Sequence, residues 1–261
     1  MKALSTAATG MLAQQLNVEV ISNNIANMNT TGYKRQRAEF QDLLYQNIER
    51  VGSASSDAGT LVPSGIQIGV GVKAGGVYRV SEQGSLTETS NPYDIAVNGR
   101  GFFRINLPDG TQAYTRSGSF QLSEQGQLVT PQGFEVSPGI AIPQEATSVT
   151  INEIGQVEVT LAGQIEFQNV GQIELVNFAN EAGLQAIGDN LLLATPASGD
   201  EVVGIPGAPG LGTLRQGFIE ASNVNPVTEI TSLITAQRAY EMNSRVISAV
   251  DEMMNATSQL R

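Results

Sequence analysis

The sequence contains no cysteine, no histidine and no tryptophan. Without cysteine and histidine, the chain has no disulfides, no thiol or imidazole chemistry and none of the usual zinc ligands. An enzyme with this composition would have to work with carboxylates, lysine, tyrosine or serine alone. We therefore expect no metal, no cofactor and no catalytic role.

Basic residues are also scarce, because 14 Lys and Arg stand against 25 Asp and Glu and give a net charge of -11. A negative surface opposes binding to a phosphate backbone, so nucleic acid is not expected as a partner. The chain lacks an apolar run of about eighteen residues, the length that a membrane-spanning helix needs. Residues 1–16 lack the compact apolar core of a secretory signal. We expect no membrane insertion, and export by a route without a cleaved signal peptide if the protein leaves the cytoplasm.

Two segments, one at each end of the chain, have the apolar spacing of a coiled coil. The predicted seam of the N-terminal helix consists of Leu4, Ala7, Met11, Val18, Ile21, Ile25 and Met28, with Gln14 as a polar interruption. The seam of the C-terminal helix consists of Leu233, Ala236, Tyr240, Asn243, Ile247, Val250 and Met254. Steps of three and four residues place each set on a narrow stripe, which stays in water unless another helix covers it. Pairing of the two termini is the simplest solution, and docking of each helix on its own domain is the alternative.

Turn-forming residues mark where the first helix ends and the last one begins. Asn27 and Asn29 lie in a run rich in Asn, Thr and Gly, which predicts that the first helix ends near them. Asn225 is a suitable N-cap, Pro226 a suitable first helical residue, and Glu229 places a carboxylate in the first turn. The C-terminal helix is therefore predicted to start at Pro226.

The stretch that follows the first helix has a mixed pattern. A second, shorter helix is predicted from the helical spacing of Phe40, Leu43, Leu44 and Ile48. Residues 49–63 have no apolar periodicity, which predicts a mobile loop. Apolar residues then alternate strictly from 66 to 72 and predict a half-buried strand.

A period of two dominates from about Val77 to Leu214 and predicts β structure. The sequence Leu-Pro-Asp-Gly-Thr at 107–111 predicts the turn of a β-hairpin. A Gly-Gln-apolar-Glu-apolar repeat begins at 155, 163 and 171, and its eight-residue interval predicts an antiparallel meander. Its glutamates are Glu158, Glu166 and Glu174. We expect them on a solvated face and not in a cation site, because no carbonyl-rich ligand spacing accompanies them.

These patterns together predict an α+β fold. Long N- and C-terminal helices would pair as a coiled-coil-like stem and carry an inserted, mostly antiparallel β domain. The predicted stem comprises 1–30 and 226–261. Residues 31–76 would form a connection of helix, loop and strand, 77–214 the β-rich outer domain, and 215–225 the return segment.

Two stretches at opposite ends of the chain resemble signatures of the axial proteins of the bacterial flagellum, the rod and hook family. Residues 22–34 resemble the family's N-terminal signature, which also follows a helix. Residues 222–227 and 237–243 resemble its C-terminal signature. The matching positions are Asn23, Asn24, Ala26, Asn27, Asn29, Thr30, Gly32, Tyr33, Ser222, Asn223, Val224, Asn225, Gln237, Arg238 and Tyr240.

The resemblance extends into the middle of the chain. Residues 94–103, 113–120 and 126–129 are similar to the family pattern as well. Within the family, the length of 261 residues and the run from 61 to 72 are most similar to the distal-rod type.

The resemblance implies a structural subunit that polymerises into a rigid, hollow helical drive shaft. Such a shaft transmits motor torque through the periplasm and the outer-membrane ring to the hook. The implied partners are further copies of the chain, proximal rod proteins, the hook protein, the surrounding ring proteins of the peptidoglycan and outer membrane, and the flagellar type III export apparatus. The implied location is the periplasmic basal body. The residues agree with assembly, because apolar stripes exposed on a monomer become buried when subunits associate.

Several alternatives stay open at this point. A proximal rod or hook protein of the same family is the nearest, and an unrelated secreted β-rich fibre or adhesin is another. A carboxylate-based glycosidase would need a pair such as Asp94 and Glu124 at a suitable separation, but no sequence feature pairs them.

We expect the segment 45–63 to make the polymer stiff, as in a rod and not as in a hook. Our hypothesis is that it orders against axially neighbouring subunits and stiffens the tube. Deletion of residues 51–62 tests it, because an unchanged straight and rigid polymer would contradict the hypothesis.

Overall fold

The structure, a computed structural model, describes residues 2–48, 65–163 and 166–259. The chain divides into two compact units. The helical unit comprises Met1–Ala26, Gln36–Tyr78 and Asn225–Arg261, and the β unit comprises Asn27–Arg35 and Arg79–Val224. The predicted loop at 49–63 lies outside the described residues.

Two long helices dominate the helical unit. Helix α1 spans Lys2–Ala26 and helix α2 spans Pro226–Gln259, with 25 and 34 residues. At 1.5 Å per residue they are roughly 37 and 51 Å long, and they pack against each other. Helix α1 ends directly before Asn27, as predicted. The Asn225 carboxamide accepts two backbone N–H groups of the first turn of α2, at 3.0 and 3.3 Å, which confirms the predicted N-cap.

Short strands complete the helical unit. They are β1 (Gln36–Asp42), β2 (Tyr45–Asn47), β3 (Gln67–Gly69) and β4 (Val72–Arg79), of which the last reaches the β unit at Arg79. Strand β1 pairs with β4, and β2 pairs antiparallel with β3. The predicted strand at 66–72 is therefore present but broken at Gly71. There φ is 128°, a value that side chains rarely adopt.

The predicted helix through Phe40, Leu43, Leu44 and Ile48 is wrong. Residues of β1 alternate between half-buried and exposed, with Ala38 and Phe40 among the half-buried ones. The helical spacing of four apolar residues competed with this alternation, and the pairing of β1 with β4 decided the outcome. That pairing depends on a segment more than thirty positions away, so local periodicity did not reveal it.

The β unit consists of many short strands. They are β5 (Leu86–Glu88), β6 (Ile95–Asn98), β7 (Phe102–Asn106), β8 (Gln112–Thr115), β9 (Gln121–Leu122), β10 (Leu128–Val129), β11 (Glu135–Val136), β12 (Ala146–Ile151), β13 (Gln156–Leu161), β14 (Gln168–Gln172), β15 (Leu175–Asn177), β16 (Gln185–Gly188), β17 (Leu191–Leu193), β18 (Val202–Gly204), β19 (Thr213–Gln216) and β20 (Phe218–Glu220). A short 3-10 turn, Glu181–Gly183, precedes β16.

Strand β7 lies at the centre of the largest sheet and pairs antiparallel with β8, β11 and β15. Beyond β8 the sheet continues through β17 to β16, and on the other side it continues to β10, β9 and β18. Strands β12, β13 and β14 form a separate antiparallel sheet, and β6 pairs with β19 and β5 with β20.

The largest sheet has apolar residues on both faces. On β7, Phe103 belongs to the main core, where its ring meets Phe120 edge to face at 5.1 Å. The adjacent Phe102 points to a smaller cluster with Tyr114 and Phe178. Successive residues of a strand point to opposite faces, so both faces of the sheet are buried at β7.

One β prediction is confirmed, and a second is correct only in part. The turn at 107–111 joins β7 to β8, and Gly110 adopts a φ of 82° in it. An antiparallel meander is present as the sheet of β12, β13 and β14, but only the first of the three predicted repeats coincides with one of its strands, β13. Glu158 lies in β13, Glu166 lies before β14, and Glu174 lies beyond it, where it binds Arg104 at 3.0 Å. Glu158 and Glu174 are half-buried, so the predicted exposure is correct only for Glu166.

The predicted α+β fold, with paired terminal helices and an inserted antiparallel β domain, is confirmed. In the parts of the chain that the structure describes, no helix is both long enough and apolar enough to cross a bilayer.

Candidate assembly site

The predicted seam residues differ in how far the two helices cover them. Ala7, Ile21 and Ala236 are buried. The half-buried ones are Leu4, Met11, Val18, Ile25, Leu233, Asn243, Ile247 and Val250. Met28, Tyr240 and Met254 are exposed. Met28 is not a residue of the helix seam, because α1 ends at Ala26. Two helices therefore bury only part of the predicted stripes. Sequence spacing missed Ala13 and Val20, which are buried although they lie outside the predicted seam.

The helices run antiparallel in a register that two contacts define. The Asn24 carboxamide on α1 donates to the Glu229 carboxylate on α2 at 3.1 Å. Further along, Gly10 lies so close to Asn243 that a Cβ at Gly10 would be 2.9 Å from Nδ2. The number of residues from Asn24 back to Gly10 on α1 equals the number from Glu229 forward to Asn243 on α2. Both contacts therefore belong to one register.

The Asn24 side chain is the polar centre of the seam. It is 1% exposed, and it donates to the Gln36 carbonyl and accepts the Gln36 N–H, both at 2.8 Å. The same amide group reaches Glu229, which is 4% exposed and lies in the first turn of α2. A carboxylate is stabilised there by the positive end of the helix dipole. One buried polar pair thus connects α1, α2 and the start of β1.

Helix α2 also exposes large apolar side chains outside the predicted seam. They are Val227, Ile230, Ile234, Met242, Val246 and Met253. On α1, Leu12 is 67% exposed. Large apolar side chains that are exposed in such number are typical of a protein interface.

The ribbon of β2 and β3 is a second exposed apolar surface in the helical unit. Its large exposed side chains are Leu44, Tyr45, Ile48, Ile66 and Ile68. The backbone of Ile48 donates to the carbonyl of Ile66 at 2.8 Å, so the pairing extends beyond the strands themselves. An isolated two-stranded ribbon is only marginally stable, so this ribbon would gain from a partner that covers it.

In the β unit, the N-terminal signature meets the return segment around Glu220, which is 1% exposed. Its carboxylate accepts hydrogen bonds from Lys34 Nζ at 2.6 Å, Arg116 Nε at 2.5 Å and the Gly84 N–H at 2.9 Å. Burial alone would raise the pKa of Glu220, but the charges of Arg116 and Lys34 overcome this and hold the pKa below its ordinary 4.5. Burial lowers the pKa of Lys34, and the attraction of Glu220 offsets this only in part.

Gly32 is required for this arrangement. It adopts a φ of 70° and donates its N–H to the Glu220 carbonyl at 2.8 Å. A Cβ on Gly32 would lie 2.7 Å from the backbone nitrogen of Ser117. Any larger residue would therefore meet both an unfavourable backbone conformation and a backbone clash.

The other signature positions fall into three groups. Asn24 and Val224 are buried. The half-buried ones are Asn27, Thr30, Gly32, Tyr33, Ser222 and Asn223, and the exposed ones are Asn23, Ala26, Asn29, Asn225, Gln237, Arg238 and Tyr240. The signature is thus divided between the helix seam and the site around Glu220.

The sequence did not predict a role for Lys34, Arg116 or Glu220, which form the ion pairs described above. Glu220 could have been noticed as an acid within the apolar run Phe218 to Ala221, which predicts a buried carboxylate that needs cationic partners. Asp94 and Glu124, the carboxylate pair that a glycosidase would need, lie in different surroundings. Asp94 accepts bonds from Thr89 and Asn91 in its own turn, whereas Glu124 is exposed.

Models of three protein families match the chain. The flagella basal body rod protein family matches residues 4–34, the flagellar hook protein FlgE/F/G D1 domain matches 96–159, and the flagellar basal body rod FlgEFG protein C-terminal family matches 215–260. These matches include α1, the strands at the centre of the β unit and α2. They define a protein of the flagellar rod and hook class.

Comparison with individual proteins narrows this class. The chain is 64% identical over 261 residues, the full length of both chains, to the flagellar basal-body rod protein FlgG of Caulobacter vibrioides. It is 51% identical to FlgG of Agrobacterium fabrum and 37% identical to FlgG of Bacillus subtilis, over 99% or more of each chain. The chain belongs to the FlgG family of flagellar basal-body rod proteins, and it is a structural component of the flagellar distal rod.

Proposed function

We propose that the chain polymerises with further copies of itself into a rigid, hollow helical shaft that transmits motor torque. Its role is structural and not enzymatic. The shaft would connect the proximal rod proteins to the hook protein and turn inside the ring proteins of the peptidoglycan and outer membrane. The subunit would reach the periplasmic basal body unfolded, through the flagellar type III export apparatus and without a cleaved signal peptide.

The apolar side chains that the helix pair leaves exposed are the main support for polymerisation. Val227, Ile230 and Ile234 lie on α2 and are 74, 49 and 45% exposed. Burial of one such side chain contributes roughly 2 kcal/mol. Neighbouring copies that placed their helices side by side would cover these residues together with the uncovered part of the predicted seam. Contacts between different faces that do not close into a ring generate a helical tube.

The β2–β3 ribbon supports a second, axial contact. Leu44 is 85% exposed, and Ile48 and Ile68 in the same ribbon are also exposed. Strand β2 is the first part of the segment 45–63, which we expect to stiffen the tube. Contact of the ribbon with an axially neighbouring copy would cover these side chains and restrict sliding of subunits.

Polymerisation is tested with Ile234→Ser and the matched control Thr235→Ser, an exposed polar position in the same turn. Rods isolated from cells that express each variant are counted by electron microscopy, and purified subunits are concentrated and sedimented. We expect Ile234→Ser to raise the concentration needed for tubes about tenfold, because roughly 1.4 kcal/mol of apolar burial is lost at each contact. Thr235→Ser should assemble like the parent chain. Normal rod numbers and sedimentation for Ile234→Ser would contradict the proposal.

A further inference from the structure

The path of the chain limits how force can pass between the two units. The chain crosses from one unit to the other after Ala26, Arg35, Tyr78 and Val224. Force carried along the backbone therefore enters or leaves the β unit through residues 27–35, the segment that begins at Arg79, and the segment that ends at Val224.

Hydrogen bonds join these three segments to one another inside the β unit. The Asn223 carboxamide accepts the Arg35 N–H at 2.7 Å and donates to the carbonyls of Val80 and Glu82 at 3.0 and 2.9 Å. The Val80 N–H in turn donates to the Arg35 carbonyl at 2.8 Å. One side chain thus holds all three segments at the point where they meet the rest of the β unit.

A charged group beside Asn223 joins the same segments a second time. Lys34 Nζ donates to the Glu82 carbonyl at 2.8 Å and to the Glu220 carboxylate at 2.6 Å. Arg116 connects Glu220 to the core strands, because its guanidinium also donates to the carbonyls of Val97 and Gly101. Loss of one partner from a buried ion pair is strongly unfavourable, so this group resists separation.

We propose that these residues form a clasp that carries the torsional load on the β unit. The clasp consists of Gly32, Lys34, Arg35, Val80, Glu82, Glu220 and Asn223. It holds the crossing segments side by side, so that an applied force divides over several hydrogen bonds and does not peel one segment from the sheet. This role rests on the proposed function as a torque-transmitting shaft, and Asn223 is the positioning residue at its centre.

The test is forced opening of the full-length chain in optical tweezers. Handles are attached through Asn29→Cys and Val227→Cys, which load the clasp, or through Glu124→Cys and Asp200→Cys, which load the β unit away from it. The chain has no natural cysteine, so both attachments are specific.

The variant is Asn223→Asp, which keeps an acceptor for the Arg35 N–H but loses the two amide donors. The matched control is Asn177→Asp, because the Asn177 carboxamide likewise accepts a backbone N–H and donates to one carbonyl, at Gly210. We expect Asn223→Asp to open about tenfold faster at a given force across the clasp, since two hydrogen bonds are lost. It should open at the parent rate along the second axis, and Asn177→Asp should match the parent across the clasp.

Two results would overturn the proposal. One is an unchanged opening rate for Asn223→Asp across the clasp, and the other is an equal acceleration along both axes, which would mean a general loss of stability. Tubes of the parent chain are examined separately by electron microscopy. Failure of the parent to form tubes would count against the proposed polymer, whereas the clasp is decided by the force measurement alone.

Discussion

The buried contact between Asn24 and Glu229 should set both the register and much of the stability of the helix pair. Replacing Asn24 by Ala removes two hydrogen bonds with the Gln36 backbone at 2.8 Å and one with the Glu229 carboxylate at 3.1 Å. A neutral bond contributes about 1 kcal/mol and a bond to a charged group about 2 kcal/mol, which gives a loss of about 4 kcal/mol. The Glu229 carboxylate, 4% exposed, would also lose a partner without gaining water.

Urea unfolding followed by circular dichroism at the helical wavelength measures this loss, because α1 and α2 are both in the helical unit. Gln15→Ala is the control, since the exposed Gln15 side chain bonds to the exposed Glu19 carboxylate, and we expect a change within about 0.5 kcal/mol. A cycle with Glu229→Ala should give a coupling of about 1–2 kcal/mol. A loss below about 1 kcal/mol for Asn24→Ala would refute the assignment of a central role to this pair.

Three further predictions test the helix register, the Gly32 turn and the charged group. The double variant Asn17→Cys, Ala236→Cys should form a disulfide on oxidation, because both positions line one groove between the helices. The double variant Asn17→Cys, Asn243→Cys should not form one. Non-reducing gel electrophoresis distinguishes the two outcomes. Gly32→Ala should cost at least about 2 kcal/mol in the β unit, measured by thermal unfolding, and a stable variant would refute the need for a φ of 70°. The lowered pKa of Glu220 means that its stabilising effect is present above about pH 4.5 and is lost as the pH falls through the folded-state pKa. Unfolding measured between about pH 3 and 6 should therefore show an acid-dependent loss that is reduced in Glu220→Gln, and equal pH profiles would contradict this.

Local signals predicted the elements whose cause lies within a few residues. The N-cap at Asn225 and the turn at 107–111 were correct because capping and tight turns depend on side chains and φ values at the positions themselves. The pairing of the termini was also predictable, since an apolar stripe at heptad spacing needs another helix. Family resemblance then supplied the function, which composition and spacing alone could not have specified.

Predictions failed where a distant segment decided the structure. The stretch around Phe40 has apolar spacing that fits a helix, but it forms β1 because β4 offers a partner. The repeats that begin at 155, 163 and 171 predicted a meander, but only the first of them coincides with one of its strands, β13. The third repeat crosses the end of β14 and continues to β15, where Leu175 pairs with Phe103. Periodicity has no information about which strand will be the neighbour.

The sequence by itself therefore determined the class of fold, the ends of the long helices and the need for partners along their apolar stripes. Only the tertiary structure decided which polar residues those helices bury together, and that Lys34, Glu220 and Asn223 meet at one place. Along the chain, nearly the whole β unit separates Lys34 from Glu220 and Asn223. Their contact depends on loop closure and sheet pairing over that distance, and neither leaves a local pattern in the sequence.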